Sequence, residues 1–321
     1  MLSAYAASID SENPLAGLVV GERPEPEPPA GWVTVDVRAA ALNHHDIWSL
    51  RGVGLPPERL PMILGCDAAG VDPDGNEVVV HAVIPSADWT GDETLDPKRS
   101  LLSERHQGTL AERVMVPRHN LVPKPPELSF EQAACLPTAW LTAYRMLFTR
   151  GGLKPGQTVL VQGSSGGVAT ALITLASSAG IRVWSTGRSE AKRSLALSLG
   201  ADAAFEPGAR LPERVDAVME TVGAATWAHS VRSLKQGGVI VISGATSGDA
   251  PAAELTRIFF LQLSVVGSTM GTRDELERLM RLLVQREIEP SISRTLPLSE
   301  ARAGFESMLS GETAGKVVFT V

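Results

Sequence analysis

Residues 43–48 read NHHDIW, an amide, two adjacent imidazoles, a carboxylate and a large aromatic, with Cys66 and His81 further downstream. Side chains of these types can ligate a transition metal or move a proton near neutral pH. Cysteine usage limits the first option. Only Cys66 and Cys135 occur, so neither a paired CxxC motif nor a four-thiolate zinc site can be built. Two cysteines also fit a reducing compartment.

A second stretch carries chemistry of another kind. GSSGGVA at 163–169 sits between an apolar strand pattern, TVLVQG (158–163), and a helical one, GGVATALITLASSAG (166–180). A glycine-rich loop in that place lets the backbone approach a diphosphate, while the helix N-terminus offers unpaired N–H groups and a favourable dipole. Ser164, Ser165, Gly166, Gly167 and Val168 are assigned to that contact. Such a loop alone is also compatible with a plain structural turn. The context lies at the end of the next strand, where an acidic residue would hold the ribose hydroxyls of NAD. Here the chain reads STGRSEAK, with Gly187 at that position, Arg188 after it and Lys192 one helical turn on. A missing carboxylate and added bases favour the 2′-phosphate of NADP, although Arg188 and Lys192 also suit a solvated surface.

These stretches need elements to hold them. From 1 to about 123 the texture is short and β-like, as in WVTVDVRAAAL (32–42), EVVVHAVI (77–84) and AERVMVP (111–117), with Pro- and Gly-rich turns between. From Gln157 strand and helix alternate: IRVWSTG (181–187), SEAKRSLALSLG (189–200), AVMETVG (217–223), GGVIVISGA (237–245) and SVVGST (264–269). That alternation implies a doubly wound α/β domain with a parallel sheet covered on both faces. DELERLMRLLVQ (274–285) reads as an amphipathic helix, and the tail through KVVFTV (316–321) returns to the first domain. The expected division is 1–123, 124–267 and 268–321.

The chain has 321 residues, a formal charge of −7, 44% hydrophobic and 20% charged residues. A folded two-domain protein is the expectation. No run of Lys or Arg offers an electrostatic footprint for nucleic acid. Neither a secretory leader nor a membrane-spanning apolar stretch is recognisable, so the cytoplasm is the expected location.

At this point the residues resemble the medium-chain dehydrogenase/reductases, above all their zinc-independent quinone oxidoreductase branch. NHHD (43–46), RGVG (51–54), PMILGCDAAGV (61–71), GTLAERVMVP (108–117), AACLPTAWLTAYRML (133–147), GSSGGVA, LGAD (199–202) and AGKVVF (314–319) occur in the family's order. The resemblance implies a GroES-like β-barrel catalytic domain made from both chain ends and an inserted Rossmann domain. It also implies a homodimer joined through the strand at 264–269. In the zinc-dependent alcohol dehydrogenases of the family three positions hold the catalytic metal, and these correspond to Asn43, Cys66 and Thr138. An amide, a thiol and a hydroxyl suit Zn²⁺ poorly, so no metal is expected. A site improvised from Cys66 with His44, His45 or His81 is the alternative.

Without a Lewis acid, several kcal/mol of charge stabilisation must come from elsewhere, which favours quinones, enones and other conjugated acceptors. Val53 stands where reductases of the family often place a tyrosine. His45 falls at the family's proton-relaying hydroxyl and becomes the acid, with Asp46 as its local orienter. The resemblance puts Asn43, Thr138, Ser243 and Gly244 beside the nicotinamide, His44 on the diphosphate, Lys316 within reach of the cofactor, and Trp48 and Trp140 along the substrate pocket. The expected protein is thus an NADPH-dependent, zinc-free quinone or enone reductase acting on a small molecule. Its rivals are an alcohol dehydrogenase or carbonyl reductase, and a non-catalytic NADPH-binding redox sensor.

Overall fold

The structure, a computed structural model, describes residues 1–321 and comprises two units: Met1–Leu141 with Met270–Val321, and Thr142–Thr269. The first boundary falls at Leu141 rather than at 123. Its cause is the helix Phe130–Ala134, which packs on the strands Trp32–Ala41, Asp67–Val71 and Lys316–Thr320 and so belongs to the first unit.

Trp32–Ala41 organises the first unit. Val33, Val35 and Val37 point into the core while Asp36 and Arg38 face water, the alternation a half-buried strand requires. Its first half pairs with Arg113–Pro117. Its second half narrows to Ala39–Ala41, buried on both sides, and pairs with Asp67–Val71 on one edge and Lys316–Thr320 on the other. Ala41 therefore lies between Asp67 and Val318, and this register brings Asn43, Asp67 and Lys316 together. The remaining strands of the seven-stranded sheet are Leu121–Pro123, Glu77–Val80 and Ile292–Pro297. One core, including Leu42, Ile47, Leu64, Val80, Leu110, Phe305 and Phe319, fills this unit.

The run 77–84 is not one strand. It breaks after Val80, where Asn120 Nδ2 donates to the carbonyls of His81 and Val83 and the His81 N–H donates to Asn120 O. Burial pushes His81 down to about 4 even though its Nε2 sits 2.9 Å from Gly271 O, so the ring is neutral and structural.

The second unit is a six-stranded parallel sheet. Its spatial order is Ala203–Phe205, Arg182–Thr186, Thr158–Val161, Val215–Glu220, Leu234–Ile242 and Ser264–Gly267. The order reverses between Thr158–Val161 and Val215–Glu220, and ligands bind at the carboxyl ends of strands at such a switch point. Gly167–Ser178 follows the first strand and is buried over Ala169–Ile173, because small and aliphatic residues surround most of its circumference. The tail belongs to the first unit, through Arg273–Arg286, Ile292–Pro297, Ala301–Ser310 and Lys316–Thr320. No helix is long and apolar enough to cross a membrane.

Candidate functional site

In the first unit the sheet register produces a buried ionic cluster. Lys316 Nζ donates to Leu42 O at 2.9 Å, Asn43 Oδ1 at 2.6 Å and Asp67 Oδ2 at 2.9 Å, and Asn43 Nδ2 donates to Asp67 Oδ2 at 2.8 Å. All the ammonium protons are taken. Lys316 is thereby turned inward to hold Asn43 and Asp67, and it does not extend toward a cofactor. Burying such a pair is tolerable only with this degree of hydrogen bonding.

Asn43, two residues past the strand, is the N-cap of the helix His44–Leu50. Asp46 Oδ2 accepts from the Asn43 N–H at 2.9 Å, one half of a capping box, and Asp46 Oδ1 accepts from the Gly65 N–H at 2.8 Å. The Asp46 carboxylate is thus fully engaged with backbone, and the carboxylate bonded to His45 is Glu104. His45 Nε2 lies 3.0 Å from Glu104 Oε1 and Nδ1 lies 3.6 Å from Cys66 Sγ. Cys66 is buried and donates its own proton to Leu102 O. Burial opposes charge on the His45 ring, but Cys66, Glu104 and Asp46 outweigh it and hold the ring well above the usual histidine range. Burial also pushes the Cys66 thiol up. With that thiol protonated, the Glu104 bond and the Asp46 carboxylate are what favour the charged ring, and the direction is upward.

His44 is exposed and meets Trp48 edge-on, with ring centroids 6.0 Å apart. Trp140 is fully buried with its indole N–H unpartnered, a place for packing rather than for a pocket wall. Thr138 stands in a π-helical turn, Leu136–Trp140, with its hydroxyl buried and unpartnered.

In the second unit the loop after Thr158–Val161 is held from below. Thr186 Oγ1 donates to Gln162 Oε1 and accepts from the Gly163 N–H, each at 3.0 Å. Ser164 is buried with an unpartnered hydroxyl. No side chain caps the helix at Gly166, so its first-turn N–H groups are left for an anion. At the end of Arg182–Thr186 a Cβ on Gly187 would stand 3.0 Å from both Arg193 Cγ and Ser164 Oγ. Arg193 Nη1 donates to Gly187 O at 2.9 Å. The stem of Arg193 thus fills the room an acidic side chain would need. Arg188 is exposed beside it, and Lys192 is half-buried on the same helix, Glu190–Ser198. Ser243 and Gly244 directly follow Leu234–Ile242, and the Ser243 N–H donates to Glu220 O.

Residues 29–126 match the alcohol dehydrogenase GroES-like domain and residues 167–285 the zinc-binding dehydrogenase family. An acryloyl-coenzyme A reductase of Metallosphaera sedula is 30% identical over 323 residues, covering 95% of this chain and 96% of that protein. This chain is a medium-chain dehydrogenase/reductase. The crystal structure of an NAD-dependent alcohol dehydrogenase superposes over the whole of both chains with a TM-score of 0.92 and 34% identity. The structure of a 2-octenoyl-CoA carboxylase reductase in complex with NADP and 2-octenoyl-CoA has the same fold, with a TM-score of 0.91 and 24% identity over 99% of this chain and 87% of that one.

The family's name implies zinc, and the donor set argues against it here. Asn43 is bound to Asp67 and to the Lys316 ammonium, a cation that would repel a second one. Cys66 is a neutral thiol, and the two ring nitrogens of His45 face apart, one to sulfur and one to Glu104. No group of three or more His, Cys, Asp or Glu side chains gathers as a metal would need. His81, tied to Gly271, does not join them.

Sequence reasoning missed Glu104 and Arg193. Nothing in loop 86–107 marks Glu104, which reaches His45 across 59 residues. Arg193 was legible in part, as the second base of the pair at 192–193.

Proposed function

We propose that this protein delivers hydride from NADPH to the β-carbon of an α,β-unsaturated carbonyl compound without a metal, and that His45 protonates the enolate that results. The observation that carries the reading is the His45–Glu104 pair at 3.0 Å, an acid poised in a donor set unsuited to zinc. A conjugated acceptor spreads the incoming charge and needs no Lewis acid, so a proton donor suffices. The name of the Metallosphaera sedula relative supports an enoyl thioester over a quinone as acceptor.

NADP supplies the hydride when bound. The chain's own residues bind and orient: Ser164, Ser165, Gly166, Gly167 and Val168 receive the diphosphate, Arg188, Lys192 and Arg193 the 2′-phosphate, and His44 adds a diphosphate contact. In the second unit Ser243 and Gly244 flank the nicotinamide; in the first, Lys316 fixes Asn43 and Trp48 borders the substrate. Incubation of an enoyl thioester or enone with NADPH deuterated at C4 is expected to give a saturated product labelled at the β-carbon, with a rate unchanged after dialysis against a chelator. An allylic alcohol labelled at the carbonyl carbon instead supports carbonyl reduction, the second reading, which the 34% identity to an alcohol dehydrogenase favours. Tight NADPH binding without oxidation across quinones, enones, aldehydes and ketones makes the protein a redox sensor.

The same reading includes a homodimer. Ser264–Gly267 is an unpaired sheet edge, and Leu255, Phe259 and Phe260 of the adjoining segment are 68% to 75% exposed. An edge strand beside exposed apolar residues favours pairing with a second copy. Sedimentation velocity is expected to show a dimer that Phe259→Asp shifts to monomer; a monomeric wild-type chain removes this part of the proposal.

A further inference from the structure

Segment 101–106 has no counterpart in the motifs that identify the family, yet it meets the candidate acid from two sides. Leu102 O accepts the Cys66 thiol proton at 3.3 Å, and two residues later Glu104 Oε1 meets His45 Nε2 at 3.0 Å. Between them Ser103 is fully buried in the left-handed region, at φ 64. A serine rarely adopts that conformation, and a local backbone outlier beside a polar cluster is a pointer to function. The turn is pinned by the Ser103 N–H on His106 O at 2.8 Å and by Arg59 Nη1 donating to Glu104 O at 3.2 Å. Room for the carboxylate comes from Gly54, at φ +77, where a Cβ would stand 2.9 Å from Glu104 Oε1. Separate stretches of chain therefore converge on the placement of one carboxylate.

We propose that Glu104 is the positioning residue of the reaction's acid: it binds Nε2–H of His45, fixes the ring, and leaves Nδ1 as the nitrogen from which the proton departs. The inference rests on the proposed role of His45. Nδ1 lies 3.6 Å from the Cys66 sulfur, a long contact, and that thiol gives its own proton to Leu102 O. In the step itself the Nδ1–H bond breaks and a Cα–H bond forms on the substrate, after hydride from NADPH has reached Cβ. The imidazolium becomes neutral imidazole still held at Nε2–H, NADPH becomes NADP⁺, and solvent restores the proton to a ring that is 23% exposed. A carboxylate that orients an imidazole and stabilises its cation is the same physics as in a serine protease triad. The charged or titratable groups facing His45 are Glu104 and Cys66 in contact and Asp46 on its own helix, with Arg59 behind Glu104.

The test has two arms. Titration of the His45 ring by NMR, assigned by difference against His45→Asn, reads the hold of Glu104 without any substrate. Glu104→Gln is expected to lower the midpoint of that titration, to move the alkaline fall of kcat to lower pH by the same amount, and to leave KM nearly unchanged. A shift of one pH unit makes kcat roughly tenfold lower than wild type on the alkaline side. Glu104→Asp, the variant to use if the glutamine protein does not fold, is expected to recover part of the shift. Unchanged ring titration and unchanged pH profile in Glu104→Gln overturn the inference. Full turnover in His45→Asn overturns the acid reading instead, whatever the NMR arm shows for Glu104.

Discussion

Replacing His45 with asparagine is expected to lower kcat/KM for a conjugated acceptor by roughly 10²- to 10⁴-fold, the range a positioned general acid contributes. NADPH affinity, read by fluorescence titration, should stay within a small factor. The pH dependence gives the sharper discrimination. His45 is held well above the ordinary value of 6.5, so the protonated form persists through neutrality and is lost only as pH rises through its raised value. Wild-type turnover should be level on the acid side and fall on the alkaline side, whereas the asparagine variant should lose that limb and show a flat, low rate. Stability follows the same sign. Because the folded value is raised, the charged His45–Glu104 pair contributes stability that is complete below pH 6.5 and disappears as pH rises through the folded value. Thermal melts of wild type and His45→Asn should therefore converge at high pH. Turnover equal to wild type at every pH would remove His45 from the chemistry and with it the metal-free reading of the site.

What the sequence made legible, and what it did not, follows from how far each signal reaches along the chain. The strand–loop–helix unit was readable because strand, glycines and helix lie within 158–180, where periodicity and glycine placement report one local structure. The parallel sheet was readable for the same reason. The helix His44–Leu50 also had a local signal, Asn43 followed three residues later by Asp46, but the histidines drew attention to metal chemistry instead of to a capped helix start. Lys316 lies in the first unit, and its side chain turns inward because the register sets it between Asn43 and Asp67, which no local pattern encodes. Glu104 is the extreme case. It lies in an aperiodic loop and acquires meaning only when a left-handed serine and a glycine from another turn carry it to His45. Local signals fix elements, while the site depends on contacts between elements.

The cofactor preference is the second large effect expected. An acid at position 187 would require its neighbours to give way, since even its Cβ would stand 3.0 Å from Arg193 Cγ and Ser164 Oγ. Bases remain: Arg188 exposed at the strand end, Arg193 anchored on Gly187 O, and Lys192 beside it. A phosphate gripped by guanidinium groups gains charge-assisted bonds worth about 1.5–3 kcal/mol each, so losing one changes affinity roughly tenfold to a hundredfold. Arg188→Asp is expected to raise the Kd for NADPH by at least that factor, because it adds repulsion to the lost contact, while leaving NADH within about twofold. Arg193→Ala should act in the same direction and also loosen the turn at Gly187, so its effect should reach NADH as well. Calorimetric titration of both variants with both nucleotides separates the two contributions. An unchanged ratio of NADPH to NADH affinity in Arg188→Asp would leave the selection to Arg193 and Lys192 alone. Were Arg193→Ala equally silent, the basic end of this strand would be surface charge, and the NAD-dependent relative would be the better guide to the cofactor.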